Sequence, residues 1–163
     1  SNAERYVRVK LAGRILRDQI ERYRRENQGP LVNRASEHFS ALTLGSFEQL
    51  MADFDDRDQP VLVGIRPAGE RVHVAGMSAG TRDQLYLALR LASLEKYMQD
   101  AEPMPFIVDD ILVDFDDQRS AAALNALVVL AEKTQVILFT HHAQVVEQAK
   151  KMRGTGPAQI HSL

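Results

Sequence analysis

The chain has 163 residues, 45% of them apolar and 26% charged, with a formal net charge of −2. That length supports one domain with a real core rather than two, and the balanced charge dictates neither a nucleic-acid nor a membrane partner. The absence of cysteine excludes disulfides and thiolate metal sites and fits a cytoplasmic protein, while the longest nearly apolar run, Ala121–Ala131, holds Asn125 and is too short to span a membrane.

Ser1-Asn2-Ala3 reads as an expression-tag remnant and is set aside. Beyond it the chain starts in mid-helix without an initiator methionine or signal peptide, so it is expected to be a piece of a longer protein. Within residues 4–27, Tyr6, Val9, Gly13, Leu16, Ile20 and Tyr23 recur at alternating steps of three and four, a heptad-like stripe. This helix either packs on its own domain or begins a coiled coil. Its Arg5, Arg8, Lys10, Arg14, Arg17, Arg22, Arg24 and Arg25 outnumber its acids, giving either a solvated basic face or a contact for phosphate backbone. Gly29-Pro30 is expected to break the helix. A second helix then carries Leu31, Ala35, Phe39 and Leu42 on one side.

Phe47–Phe54, Pro60–Arg66 and Arg71–Ala75 read as three short strands. The turn-forming clusters Asp55-Asp56-Arg57-Asp58 and Pro67-Ala68-Gly69-Glu70 separate them, which predicts an antiparallel meander. From Ser78 onward the order becomes helix, buried strand, helix, buried strand, helix, which implies a parallel α/β layer.

Three segments of this second part carry chemistry. Ser78 is an N-cap for a helix running to about Met98, with Leu85, Leu87, Ala88, Leu89, Leu91 and Ala92, together with Tyr86, giving a broad apolar surface. The small residues Ser78-Ala79-Gly80 either merely begin a core helix or let an anion reach the free N–H groups and positive end of that helix. Phe106-Ile-Val delivers Asp109 and Asp110 to the carboxyl edge of a strand, where ligands collect in open α/β sheets. Asp109 suits a hard cation such as Mg²⁺ and Asp110 suits a water-orienting base. Acids at strand ends often only cap the next helix, but Asp116 or Asp117 is better placed to cap one at Gln118–Lys133. Val136-Ile-Leu-Phe-Thr ends in His141 and His142, which in a regular strand point to opposite faces and would not share a ligand. One of them beside the carboxylates could stabilise charge on a phosphoryl oxygen.

Taken together, these segments resemble the C-terminal lobe of an ABC-type ATPase head, closest to the SMC-like DNA-repair group that includes SbcC, RecF and YhaN-like proteins. Met77-Ser-Ala-Gly-Thr is similar to that family's signature motif, Phe106-Ile-Val-Asp109-Asp110 to Walker B, Asp116 to the D-loop aspartate, and Thr140-His141 to the switch histidine. The string 76–92 resembles the YhaN-like branch most closely. The implied fold is the α/β C-terminal half of a P-loop NTPase head, with parallel strands and flanking helices, a small antiparallel meander and an N-terminal coiled-coil-root helix. The implied division is a tag remnant at 1–3, a root helix at 4–28 and the lobe at 29–163. By the same resemblance Asp109 would hold Mg²⁺, Asp110 would activate water and His141 would meet the γ-phosphate of ATP. Ser78, Ala79 and Gly80 would contact nucleotide held by an opposing head, and Asp116 would cross the dimer interface.

Two departures stand out. Aspartate occupies position 110 where such heads commonly have glutamate, and no Gly-x-x-x-x-Gly-Lys-Ser/Thr phosphate loop occurs anywhere in the chain. ATP and Mg²⁺ therefore need a separate N-terminal lobe. The expected partners are that lobe, a second head in a homodimer, and DNA, with room for an associated nuclease and none for a membrane. Two rival expectations are a head that dimerises on ATP with little hydrolysis, and a free-standing metal-dependent hydrolase built on Asp109, Asp110 and His141.

Overall fold

The computed structural model describes residues 2–55, 59–152 and 159–162. Ser1 and the turn residues Asp56-Arg57-Asp58 lie outside them, as do the side chains of Val9, Leu16, Ile20 and Tyr23 and of most of the basic residues before Gly29. The chain opens with α1 (Asn2–Leu42), then β1 (Gln49–Phe54), β2 (Pro60–Ile65) and β3 (Arg71–His73). A single 3₁₀ turn, Val74–Gly76, leads into α2 (Ala79–Asp100). The remainder alternates: β4 (Phe106–Asp109), α3 (Asp117–Ala131), β5 (Val136–Phe139) and α4 (Ala143–Met152).

The expected break at Gly29-Pro30 does not occur, because α1 runs through both residues to Leu42. Proline removes one N–H and one helical hydrogen bond, a loss that tertiary packing can outweigh. Immediately beyond it the helix begins to bury its apolar face: Ala35 and Phe39 are fully buried and Leu42 nearly so. The earlier turns expose Tyr6, Leu11 and Ile15. At its end, α1 is closed by Leu44 and Gly45 in the left-handed region, φ 54° and 77°, with the Gly45 N–H donating to the Ser40 carbonyl at 2.8 Å.

The three early strands form an antiparallel sheet in the order β1-β2-β3, with Leu50 opposite Gly64 and Val63 opposite His73. Gly64 is required by packing, since a Cβ there would lie 2.7 Å from the Phe47 ring and 2.9 Å from Met77 Cε. Ser36 stitches this sheet to α1, as its hydroxyl accepts from the Leu50 N–H at 2.8 Å and donates to the Val32 carbonyl at 2.8 Å.

The core lies where α1, α2 and α3 meet. Phe39, Leu42, Leu85, Leu91, Ala123, Leu127 and Leu130 are buried there, and the Phe39 and Phe47 rings sit 5.0 Å apart. Tyr86 is an exception to the apolar surface expected on α2: it is 55% exposed and faces solvent. A largely covered carboxylate ties the helices together. Glu95 of α2 accepts from Arg34 Nε at 2.5 Å and Nη2 at 3.0 Å, meets His38 Nε2 at 3.0 Å, and lies 3.7 Å from Lys133 Nζ beyond α3. Hydrogen bonds from Arg34 dominate desolvation, which acts in the opposite sense, and with His38 they hold the Glu95 carboxyl down to about 2.

β4 and β5 pair in parallel, Phe106 opposite Val136 and Asp109 opposite Phe139. Both were expected to be buried strands, and each is covered on one face only. Phe106, Val108, Val136 and Leu138 pack toward the core, whereas Ile107 is 59% and Phe139 46% exposed. Parallel sheets are normally covered on both faces, and nothing in the described chain covers this second face.

Candidate functional site

The carboxyl edge of β4 and β5 gathers the ionisable groups. Asp110 continues the ladder by donating its N–H to the Phe139 carbonyl at 2.9 Å, and its backbone then turns through the left-handed region at φ 46°. Aspartate tolerates that conformation better than most residues because its short polar side chain can bond locally. Here the carboxylate accepts from the His141 backbone N–H at 3.2 Å and pairs with the His141 ring through Nδ1. Partial desolvation pushes the Asp110 carboxyl upward. The His141 N–H, the Thr140 hydroxyl and the His141 ring together outweigh it and hold the carboxyl below its ordinary value. Asp110 is thus a stable anion clasped between two strand ends.

Asp109 is exposed and lies one residue earlier on the opposite face of β4. It shares that face with Ile107 and, across the ladder, Phe139. Its carboxylate is not among the groups gathered with Asp110 and His141; it opens onto the uncovered apolar face.

His142 departs from the sequence expectation. β5 ends at Phe139, so strand alternation no longer governs residues 140–142, and the His141 and His142 rings lie 4.1 Å apart. Ligand atoms of Asp110, His141 and His142 all fall within 4.8 Å of one another. The two histidines can share a ligand after all.

Ser78 caps α2, its Oγ accepting from the Thr81 N–H at 3.2 Å and bonding the Thr81 hydroxyl at 2.8 Å. Ser78 and Ala79 are exposed at this helix end, but Gly80 is buried. A Cβ on Gly80 would lie 2.5 Å from the Asp114 carbonyl oxygen, so its small size serves the docking of the β4–α3 loop onto the first turn of α2. The same contact brings two acids together. Burial and then the neighbouring, hydrogen-bonded Asp114 raise the Asp83 carboxyl above its ordinary value, with Arg82 acting the other way. No hydrogen bond joins Ser78 to Asp110 among the described residues; Ser78 bonds within its own helix turn.

Asp116 caps α3, accepting from the Arg119 N–H at 2.9 Å, and also lies 3.4 Å from Arg119 Nε. This residue, which the family resemblance likened to a D-loop aspartate, has a structural task in this chain. Between the two regions a pocket of about 200 Å³ is lined by Asp83, Leu87, Arg90, Val108, Asp110 and Val113. Asp83, Arg90 and Asp114 belong to no motif legible in the sequence. Helical spacing of Asp83, Leu87 and Arg90 could have placed those three on one face, but not opposite Asp110.

No protein-family model matches the chain. It is 31% identical over 144 residues to the uncharacterized protein YhaN of Bacillus subtilis, a match that covers 88% of this chain and 14% of that protein. It is 32% identical over 83 residues to the DNA double-strand break repair Rad50 ATPase of Saccharolobus solfataricus, covering 50% of this chain and 9% of the relative. The chain thus spans only a small part of the length of the relatives it matches. Among solved structures, a study of ATP-driven dimerization and DNA-stimulated activation of SMC ATPases provides a match of TM-score 0.61 at 15% identity, over 76% of this chain and 74% of that one. The SMC head with extended coiled coil of Pyrococcus furiosus, bound to the C-terminal domain of ScpA, matches with TM-score 0.59 at 16% identity, over 90% of this chain and 36% of that one.

Proposed function

From the premise that this chain is related to YhaN and has the fold of the C-terminal region of an SMC-like, ABC-type ATPase head, we propose that it completes a composite ATP site with an N-terminal lobe of the same protein. Two such heads then close around ATP, and hydrolysis resets them during a DNA-repair or DNA-tethering task. The domain division follows: residues 4–28 root a coiled coil and residues 29–163 form the lobe.

The observation that carries this reading is the parallel β4–β5 pair, which presents Asp109, Ile107 and Phe139 on an uncovered face while Asp110 and His141 are joined at its edge. A lobe that extended the sheet would cover the apolar face and bring a phosphate loop to the carboxylates. Asp109 suits Mg²⁺, because an exposed carboxylate oxygen is the hard donor that ion takes when substrate phosphates and water fill the rest of its shell. When bound, Mg²⁺ would neutralise charge on the phosphates. Asp110, kept anionic by its donors, orients and accepts a proton from water. His141, fixed by Asp110, directs a ring N–H toward a phosphoryl oxygen. Ser78 and Ala79 present a hydroxyl and free N–H groups to the nucleotide of the opposing head, whereas buried Gly80 shapes the loop behind them. The dimer is also in keeping with the ATP-driven dimerization of the SMC ATPases whose fold this chain shares.

The test compares this chain with the full-length protein. Calorimetric titration of the chain alone with Mg-ATP should give no micromolar binding, while the full-length protein should bind and turn over ATP. Asp110→Asn in the full-length protein should lower turnover by about 100-fold, the usual weight of a positioned base, with affinity retained. Micromolar Mg-ATP binding by the isolated chain would contradict the half-site reading. Turnover unchanged by Asp110→Asn would favour a head that dimerises with little hydrolysis through this residue.

A further inference from the structure

We infer that Asp110, His141 and His142 form a chelating site for a borderline divalent cation of the Zn²⁺, Co²⁺ or Ni²⁺ class, distinct in chemistry from the Mg²⁺ of the nucleotide reaction. The three side chains offer one carboxylate and two imidazole ligands whose donor atoms all lie within 4.8 Å of one another. Imidazole nitrogen suits borderline transition-metal ions, whereas Mg²⁺ takes oxygen. In a tetrahedral shell with bonds of about 2.0–2.1 Å the donors stand roughly 3.4 Å apart. The Asp110 and His141 donors already stand closer than that and would open slightly, while the remaining separations close from at most 4.8 Å.

The residues are built to make that movement. His141 is 74% exposed at its side chain, contacts the His142 ring and is joined to Asp110, so a small rotation of its ring meets little packing. His142 adds a nitrogen with an unmet need. Its Nε2 is shielded from solvent yet has no hydrogen-bond partner among the described residues. A buried polar nitrogen without a partner carries an unmet desolvation cost; a neutral imidazole lone pair meets it by binding a cation. Its backbone N–H is already fixed to the Thr140 hydroxyl at 3.1 Å, so the ring is anchored at its root. The Asp110–His141 hydrogen bond sets two of the three ligands side by side, and a cation binding between them would release the shared proton to solvent. Three protein ligands leave at least one coordination position open to water or an anion.

This inference goes beyond the ATPase reading and does not depend on it. An ion held here would engage Asp110 and His141 together, and so would withdraw both from any other task.

The experiment uses this chain without nucleotide, so its outcome is separate from that of the ATPase reading. ZnCl₂ is titrated by calorimetry in a buffer free of chelators and phosphate, and CoCl₂ is followed by visible absorption. One Zn²⁺ should bind per chain, and Co²⁺ should develop visible bands that Zn²⁺ displaces. His142→Ala should weaken Zn²⁺ by more than about tenfold, since even outer-sphere partners of metal ligands cost about 10–100-fold when lost. His141→Ala, at a mostly exposed position where folding is not at risk, should do the same, and His73→Ala on β3 should leave affinity unchanged. Far-UV circular dichroism confirms that each variant is folded. Absence of saturable binding, or equal affinity in the wild type and His141→Ala, would overturn the site.

Discussion

Replacing Glu95 by glutamine keeps the volume of the side chain and removes its charge from the junction of α1, α2 and α3. The carboxyl is held from its ordinary 4.5 down to about 2, first by the Arg34 hydrogen bonds and then by His38, against desolvation. That displacement corresponds to about 3 kcal/mol of preference for the charged form in the folded state. Arg34 is 42% exposed at its side chain, so solvent screening reduces the usable part to about 2 kcal/mol. Because the folded value lies below the unfolded one, this stability is fully present above the unfolded carboxylate range and is lost as the pH falls toward the folded value. Urea unfolding near neutrality should therefore show Glu95→Gln less stable by about 2 kcal/mol, with a midpoint of thermal unfolding lower by about 4–8 °C. Repeating the measurement from about pH 5 down to pH 2.5 should bring the two proteins together as the wild-type carboxylate protonates. A difference below about 0.5 kcal/mol at neutrality would assign Glu95 the small weight of a surface pair. A difference that stays constant into acid would show that charge is not its cause.

Gly80→Ala should destabilise the chain by about 2 kcal/mol, as overpacking does, because its Cβ would meet the Asp114 carbonyl oxygen at 2.5 Å; thermal unfolding reads this directly. Asp83→Asn should raise the unfolding midpoint at neutral pH and lose the advantage in acid. The Asp83 carboxyl is raised in the folded state by burial and by Asp114, so its contribution is present below the unfolded value and lost as pH rises. Leu85→Ala should cost about 3 kcal/mol in urea unfolding, as removal of a buried leucine side chain does, since Leu85 is 1% exposed at the centre of the helix junction.

Much of the architecture follows from local signals. The Ser78 cap, the meander and the helix–strand alternation are each written in short stretches whose periodicity or turn chemistry leaves one reading, and the structure contains all three. The Gly29-Pro30 break failed because a local penalty was set against tertiary packing that the dipeptide does not encode, and Ala35 and Phe39 begin their burial just beyond it. The buried-strand reading of 106–109 and 136–139 was half right for a related reason. The apolar runs record the environment of a finished sheet, and this chain supplies cover for one face. At the site, Asp110 beside His141 could be anticipated from strand ends. His142 could not, because its approach depends on the strand stopping at Phe139. The small size of Gly80 also makes room for a carbonyl of its own chain, a contact between residues distant in sequence that no spacing rule reveals.

If the start of α2 serves a nucleotide held by another head, Ser78→Arg in the full-length protein separates nucleotide binding from association. The substitution removes the hydroxyl that accepts from the Thr81 N–H, which costs about 1 kcal/mol of helix stability, and places a long cation where an opposing nucleotide must enter. Nucleotide affinity is measured by filter binding and ATP-driven association by light scattering, on the same preparation. Retained affinity with abolished association is the expected result. Equal loss of both would mean that Ser78 serves only folding, and would contradict the assignment of residues 77–81 to an intermolecular ATP site.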